Sequence, residues 1–262
     1  MLDAKHITVV LGGKTILHDT ALSAAAGQVS VIVGPNGSGK TTLLRAVTGD
    51  LPSTGTVCLD GQDTRAMRPW VLAERRAVLP QASQLAFPFT VHEVVRLGVL
   101  GRSALRADSV ELPTRALARV GLAGYGARFF QELSGGEQAR VQLARVLVQV
   151  WEPVVDGQAR WLFLDEPVAA LDIGHQLQIM HLARDFARAG GGVVAVMHDL
   201  NLTAMFADQV VLMLDGRVLA QGSVAQVLTD VHLSRAYGCG LRVSVLPPAG
   251  GAFILPQATE IA

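Results

Sequence analysis

The sequence predicts an α/β fold, and three observations predict it. Two continuous apolar runs, residues 161–164 and 193–197, have the character of strands buried on both faces. A glycine-rich turn sits between another apolar run, residues 29–33, and a helix-like stretch, residues 42–48. From about Val91 to Gln149 the periodicity becomes helical, with Val94, Val95, Leu97, Leu117, Val120, Val141, Leu143, Ala144 and Leu147 at compatible spacings.

Taken in order, residues 7–10, 29–33 and 56–59 predict strands, with Asp60-Gly61 as a tight turn after the third. The first part of the chain is therefore sheet-rich, and the helical stretch interrupts it as an insertion. Residues 151–160, with Pro153 and Asp156-Gly157, predict a surface loop before the strand at Trp161. Residues 176–189 predict a crossover helix closed by Gly190-Gly191-Gly192. Residues 210–214, Asp215-Gly216 and residues 217–220 predict a hairpin, followed by a short helix and a Pro- and Gly-containing tail. The expected division is a core of 1–87 and 150–240, a helical insertion of 88–149 and a tail of 241–262.

With 262 residues, half of them hydrophobic, the chain can bury a substantial core. Lysine plus arginine and aspartate plus glutamate both total 22, so no basic excess favours nucleic acid. Only 17% of residues are charged and the mean hydropathy is +0.37, which leaves apolar surface for a partner. The apolar runs are far too short to span a bilayer. The first residues lack the pattern of a secretion signal, and Cys58 and Cys239 stand far apart, so a reducing cytosolic setting is expected.

Gly34-Pro35-Asn36-Gly37-Ser38-Gly39-Lys40-Thr41, with Thr42 continuing into the helix, has the composition of a phosphate cradle. Its glycines let backbone N–H groups close on a polyphosphate, Lys40 reaches the β- and γ-phosphates, and the Thr41 hydroxyl can ligate Mg²⁺. The strand at residues 161–164 runs into Asp165 and Glu166, where a parallel sheet presents its carboxyl ends to a ligand. Asp165 suits Mg²⁺, and Glu166 suits the general base that polarises the attacking water. Ser134-Gly135-Gly136-Glu137 opens a helix and forms a second anion-binding turn.

With Gln81 lying between the phosphate cradle and this second turn, and His198 following residues 193–197, the sequence resembles the ATP-binding cassette (ABC) family over roughly residues 7–228. The resemblance implies a single nucleotide-binding domain with a RecA-like P-loop NTPase core, an antiparallel β subdomain and an inserted α-helical subdomain. It implies a head-to-tail homodimer, ATP and Mg²⁺ lying between the loop of one copy and Ser134, Gly135, Gly136 and Glu137 of the other. In such a dimer Gln81 couples Mg²⁺ and the attacking water to the helical subdomain, His198 contacts the γ-phosphate, and Leu171-Asp172 lie at the seam. Three positions depart from the usual pattern: Leu11 stands where an aromatic residue often stacks on the base, Ala169-Ala170 where a serine is common, and Val168 where threonine is common.

The chain is further similar to the haemin importer subgroup of the siderophore, cobalamin and haem importers. The features are Leu79-Pro80-Gln81, the run Ala86-Phe87-Pro88-Phe89-Thr90-Val91, the 151–160 insertion, Ala170-Leu171-Asp172 with His175-Gln176, and the tail with Phe253-Ile254-Leu255-Pro256. This implies an ATPase on the cytoplasmic face of a bacterial inner membrane, serving two copies of a permease and a periplasmic haem-binding protein. Haem itself is expected to bind elsewhere, because the seven histidines are scattered without ligand-like pairing. Phe87 and Phe89 are either permease contacts or core residues of the insertion. A ferric siderophore or cobalamin is the alternative cargo, and a soluble, non-transport ABC ATPase the rival class.

Overall fold

Alternation of buried and exposed residues shapes the first hairpin of the computed structural model, which describes residues 1–81, 87–99, 108–246, 250 and 254–258. In β1 (Leu2–Leu11) the buried side chains are Leu2 and Ala4, then Ile7 and Val9. The phase change falls at His6, whose φ of 55° marks a bulge against β2 (Lys14–Ala24). β1 also pairs with β4 (Thr56–Leu59), which turns through Asp60-Gly61 into β5 (Gln62–Asp63), giving the order β2-β1-β4-β5.

Between these strands the chain visits a second sheet through β3 (Val29–Val33) and returns through α1 (Lys40–Thr48). After β5 come α2 (Pro69–Arg75), β6 (Arg76–Leu79), α3 (Val91–Arg96), α4 (Leu112–Arg119) and α5 (Gly135–Gln149). A small hairpin, β7 (Val154–Val155) and β8 (Gln158–Ala159), precedes β9 (Trp161–Asp165), α6 (Ile173–Arg188) and β10 (Gly192–Val196). The order closes with α7 (Leu200–Phe206), β11 (Gln209–Leu214), β12 (Arg217–Gly222), α8 (Val224–Val227) and α9 (Asp230–Tyr237).

The second sheet has the order β12-β11-β3-β10-β9-β6, and every pairing in it is parallel except β11 with β12. All five residues of β3, β9 and β10 are buried, as expected of strands covered on both faces. Their period of two divides the core. Val31, Val33, Leu162, Leu164, Val193 and Ala195 join the cluster formed with α3 to α7. Ile32, Trp161, Phe163, Val194 and Val196 join the cluster formed with α1, β1 and β2. The parallel register also sends the carboxyl ends of β3, β6, β9 and β10 to one edge, where Gly34, Gln81, Glu166 and His198 follow.

Sequence patterning misses β2, α2, β6 and α7, because none is a long run of one period. Residues 151–160 are not a plain loop: Asp156 and Gly157, both at positive φ, close the β7–β8 hairpin. Arg115 and Arg119 stack on Trp151 at its base, 5.1 and 4.4 Å from the ring centroid. The segment after β12 holds two helices rather than one, and Leu97 is exposed where helical spacing placed it in the core. Ala86 and Phe253 lie outside the described residues.

Gly192 allows Trp161 its place in the core, since a Cβ there would stand 2.4 Å from the indole ring. Trp161 is fully buried, so the ring has nowhere to retreat. Gly192→Ala is expected to cost about 1–3 kcal/mol by overpacking, read as a lower urea midpoint; an unchanged midpoint would contradict this packing.

Candidate active site

The loop after β3 turns on glycines that nothing else replaces. Gly34 has φ 149°, and a Cβ on it would meet the Met213 carbonyl oxygen at 2.3 Å. Gly39, at φ 97°, is the N-cap of α1 and supplies no side-chain cap, so the first amides of that helix are left for an external acceptor. Beside them the Ser38 hydroxyl is buried without a hydrogen-bond partner. Gly37 has open space beyond its Cα, and Pro35 and Asn36 complete the turn through Ser38 N–H donating to the Pro35 carbonyl. An uncapped helix start, an orphaned buried hydroxyl and open space together fit a polyphosphate.

Lys40 is buried and donates from Nζ to the carbonyls of Gly34 and Pro35 at 2.9 and 3.0 Å. Burial lowers its pKa, opposed by the charges of Glu166 and Asp165. The next residue, Thr41, donates its hydroxyl to Asp165 Oδ1 at 3.0 Å. Burial raises the Asp165 pKa, while the Thr41 hydrogen bond and the charges of Arg45 and Lys40 work against that rise. A hydroxyl and a carboxylate this close are hard oxygen donors of the kind Mg²⁺ selects. Thr42 continues α1, half-buried.

Glu166 leaves the end of β9 at φ 51°, a strained region for a side-chain-bearing residue, held by its N–H donating to the Val196 carbonyl. The twist turns its carboxylate toward β10, where Oε1 lies 2.7 Å from His198 Nε2. Glu166 is well covered and His198 half-exposed, so the pair stands at the rim of the cleft with the histidine outermost. A carboxylate held in this way can take a proton from water, and the imidazole can fix its orientation. Gln81 follows β6, exposed, and lines one cleft together with Thr41 and Asp165.

Ser134 caps α5 through a reciprocal box with Glu137: the serine hydroxyl accepts from Glu137 N–H, and the Glu137 carboxylate accepts from Ser134 N–H. Those bonds hold the Glu137 pKa low. Gly135 is open beyond its Cα, whereas a Cβ on Gly136 would lie 3.1 Å from the Ala170 carbonyl oxygen and 3.3 Å from Leu171. The Ser134 turn and the Leu171-Asp172 segment therefore touch within one chain. Asp172 caps α6 by accepting from the His175 backbone N–H and also bonds the His175 ring; the backbone bond first and then the ring bond lower its pKa. Leu11, at the end of β1, is exposed.

The two phenylalanines separate. Phe87 is 68% exposed, whereas Phe89 packs against the helical core and is edge-on to Phe87 at 6.4 Å. The sequence reading missed Arg45 and Arg145, which line the same cleft as Gln81. The spacing of Arg45, one helical turn beyond Thr41, was the signal available.

Residues 17–169 match the family model described as ABC transporter. The chain belongs to the ABC transporter family. Within this family it is 64% identical over 258 residues to the hemin import ATP-binding protein HmuV of Jannaschia sp. (strain CCS1), covering 98% of this chain and 94% of that one. It is 61% identical over 259 residues to the protein of the same name from Roseobacter denitrificans, covering 99% and 98%. Among solved structures, the dimeric post-hydrolysis state of the ABC cassette MJ0796 bound to ADP and Pi is similar, with TM-score 0.73 and 26% identity over 86% of this chain and 99% of that one. The ADP conformation of the cassette MJ1267 matches with TM-score 0.75 and 25% identity, covering 90% and 98%. These ABC cassettes share the mixed α/β architecture described above.

The raised Asp165 pKa predicts a stability effect of known sign. Burial disfavours the ionised carboxylate in the native state, so the native protein loses stability as pH rises from the unfolded pKa up to the raised folded pKa, and the loss is complete above it. Asp165→Asn is therefore expected to melt no lower than wild type at pH 7 without nucleotide, the difference vanishing below about pH 4. A clearly lower melting temperature at pH 7 would contradict burial as the dominant effect on Asp165.

Proposed function

We propose that the chain is the ATP-hydrolysing subunit of a bacterial importer of haemin, acting at the cytoplasmic side of the inner membrane. The observation that carries this reading is the near full-length identity to hemin import ATP-binding proteins, in a chain whose phosphate loop and strand-end carboxylates meet in one site. Among the described residues no helix is long and apolar enough to cross a membrane, so the reading requires a permease, in two copies, and a periplasmic haem-binding protein to deliver cargo. Haem is handled by those partners and not by this chain.

In this reading the loop from Gly34 to Thr42 and its N–H groups hold the ATP phosphates, with Lys40 exchanging its two carbonyl partners for phosphate oxygens. Thr41, Asp165 and Gln81 would hold Mg²⁺, which would supply positive charge to offset that of the phosphates. Glu166 takes the proton of the attacking water, and His198 steadies Glu166 at 2.7 Å and faces the γ-phosphate. Leu11 gives the base an apolar contact only. Ser134, Gly135, Gly136 and Glu137 close the site of a second copy, across a seam formed by Leu171 and Asp172. Phe87, the exposed member of its pair, contacts the permease, and Phe89 holds it in place from the core.

The domain reading is one nucleotide-binding unit: a core of 1–87 and 150–240, an inserted subdomain of 88–149 to which Gln81 relays nucleotide state, and the tail from 241.

Glu166→Gln is expected to lower ATP turnover at least about a hundredfold, the range of a lost general base, while ATP binding persists; unchanged turnover would remove Glu166 from the role. Lys40→Ala and Ser134→Arg subunits, each inactive alone, are expected to recover activity when mixed, through one intact composite site per heterodimer. With the cognate permease in liposomes, haemin on its binding protein is expected to stimulate ATP turnover. Stimulation by a ferric siderophore or cobalamin instead would replace the cargo and leave the ATPase reading intact.

A further inference from the structure

Thr41, Arg45 and Thr48 fall at i, i+4 and i+7 of α1 and so share one face. That face is one wall of a cleft of ≈ 590 Å³. At 1.5 Å per residue the wall is about 10 Å long. The end of β6 contributes Pro80 and Gln81 to the cleft, and α5 contributes Arg145. The cleft is also lined by Thr41, Asp165 and Gln81, beside the γ-phosphate position in the ATPase reading on which this inference rests.

The charges around the cleft are matched except for one. Asp165 lies under the influence of Arg45 and Lys40. Asp50 accepts from the Thr48 hydroxyl at 2.7 Å and lies under the charge of Arg76. Arg145 has no such partner: its Nε is buried without a hydrogen bond, and among the described residues no carboxylate acts on it. Segments 82–86 and 100–107 contain no aspartate or glutamate to supply one. A guanidinium does not shed its proton, so Arg145 is a partly desolvated cation waiting on a cleft wall for an anion. The planar fork of Arg145 suits a tetrahedral oxyanion.

The geometry points to a second oxyanion subsite, in which Arg145 receives the inorganic phosphate that leaves the nucleotide site through the cleft it lines together with Thr41 and Arg45. The phosphate has the chemistry of the nucleotide's own phosphoryl groups, so a test must keep the first loop filled. Departure by this route leaves ADP in place on Lys40 and the glycine loop. It also gives hydrolysis a product-inhibition constant set by residues outside that loop.

The test is a titration of the full chain, saturated with MgADP, by radiolabelled inorganic phosphate in equilibrium dialysis. Wild type is expected to bind phosphate saturably. Arg145→Gln is expected to bind it at least about tenfold more weakly, as for loss of a charge-assisted hydrogen-bonding fork, and Arg145→Lys, which keeps the charge without the fork, to fall between the two. ADP affinity should be unchanged in all three, and inhibition of ATP turnover by added phosphate should weaken in R145Q in the same proportion. If R145Q does not fold, Arg145→Met, which keeps the apolar stem, takes its place with the same expectation. No saturable phosphate binding to ADP-loaded wild type that hydrolyses ATP would overturn the subsite, as would undiminished binding in R145Q or R145M. Phosphate that excess ADP displaces would place it in the first loop and overturn the subsite equally. Failure of wild type to bind ADP or turn over ATP would instead strike the ATPase reading.

Discussion

The parallel alignment of β3, β9 and β10 is the constraint on which the rest depends. Because the three strands run the same way and are buried on both faces, their carboxyl ends emerge together at one edge. The phosphate loop, the Asp165-Glu166 pair and His198 stand at those three ends. They meet because the sheet register leaves them no other place to be. Trp161 and Phe163 under α1 and the helices on the opposite face hold that register by burial, and Gly192 gives the indole its room.

The electrostatics of the site follow from this crowding. Lys40 is lowered and Asp165 raised by the same cause, removal from water, and each is partly relieved by the other's charge. The Lys40 ammonium rests on two loop carbonyls, α1 starts without a side-chain cap, and the Ser38 hydroxyl has no partner. An anion at the loop would complete the helix start and the Ser38 hydroxyl without rearranging them, which is the physical content of preorganisation. Arg145 extends the same imbalance away from the loop, along the face that α1 presents to β6 and α5.

Much of this was legible in the sequence. Strands buried on both faces are continuous apolar runs, so β3, β9 and β10 stand out, and the residues at their ends are read directly. Capping boxes are local, so Ser134 with Glu137 is equally plain. What stayed hidden depends on tertiary contact. β2 and β6 lack a clean period, since β6 is four residues long and β2 is broken by bulges. The exposure of Phe87 against the partial burial of Phe89, the contact of Gly136 with Leu171, and the Arg145 cleft arise from packing between distant elements. No spacing rule encodes them.

The central claim is that each nucleotide is held by one chain and closed by another. Within the chain, Ser134 lies 11 residues before Arg145, about 16 Å back along α5 from the point where that helix lines the cleft. That leaves the Ser134 turn with its own Leu171 segment and free to face a partner. The most direct measurement is ATP turnover per chain as the protein is diluted. The account predicts a rate that falls as the chain concentration drops below that of dimer formation and returns on reconcentration. A rate per chain that stays constant across the dilution, in protein shown by sedimentation to be monomeric, would contradict it.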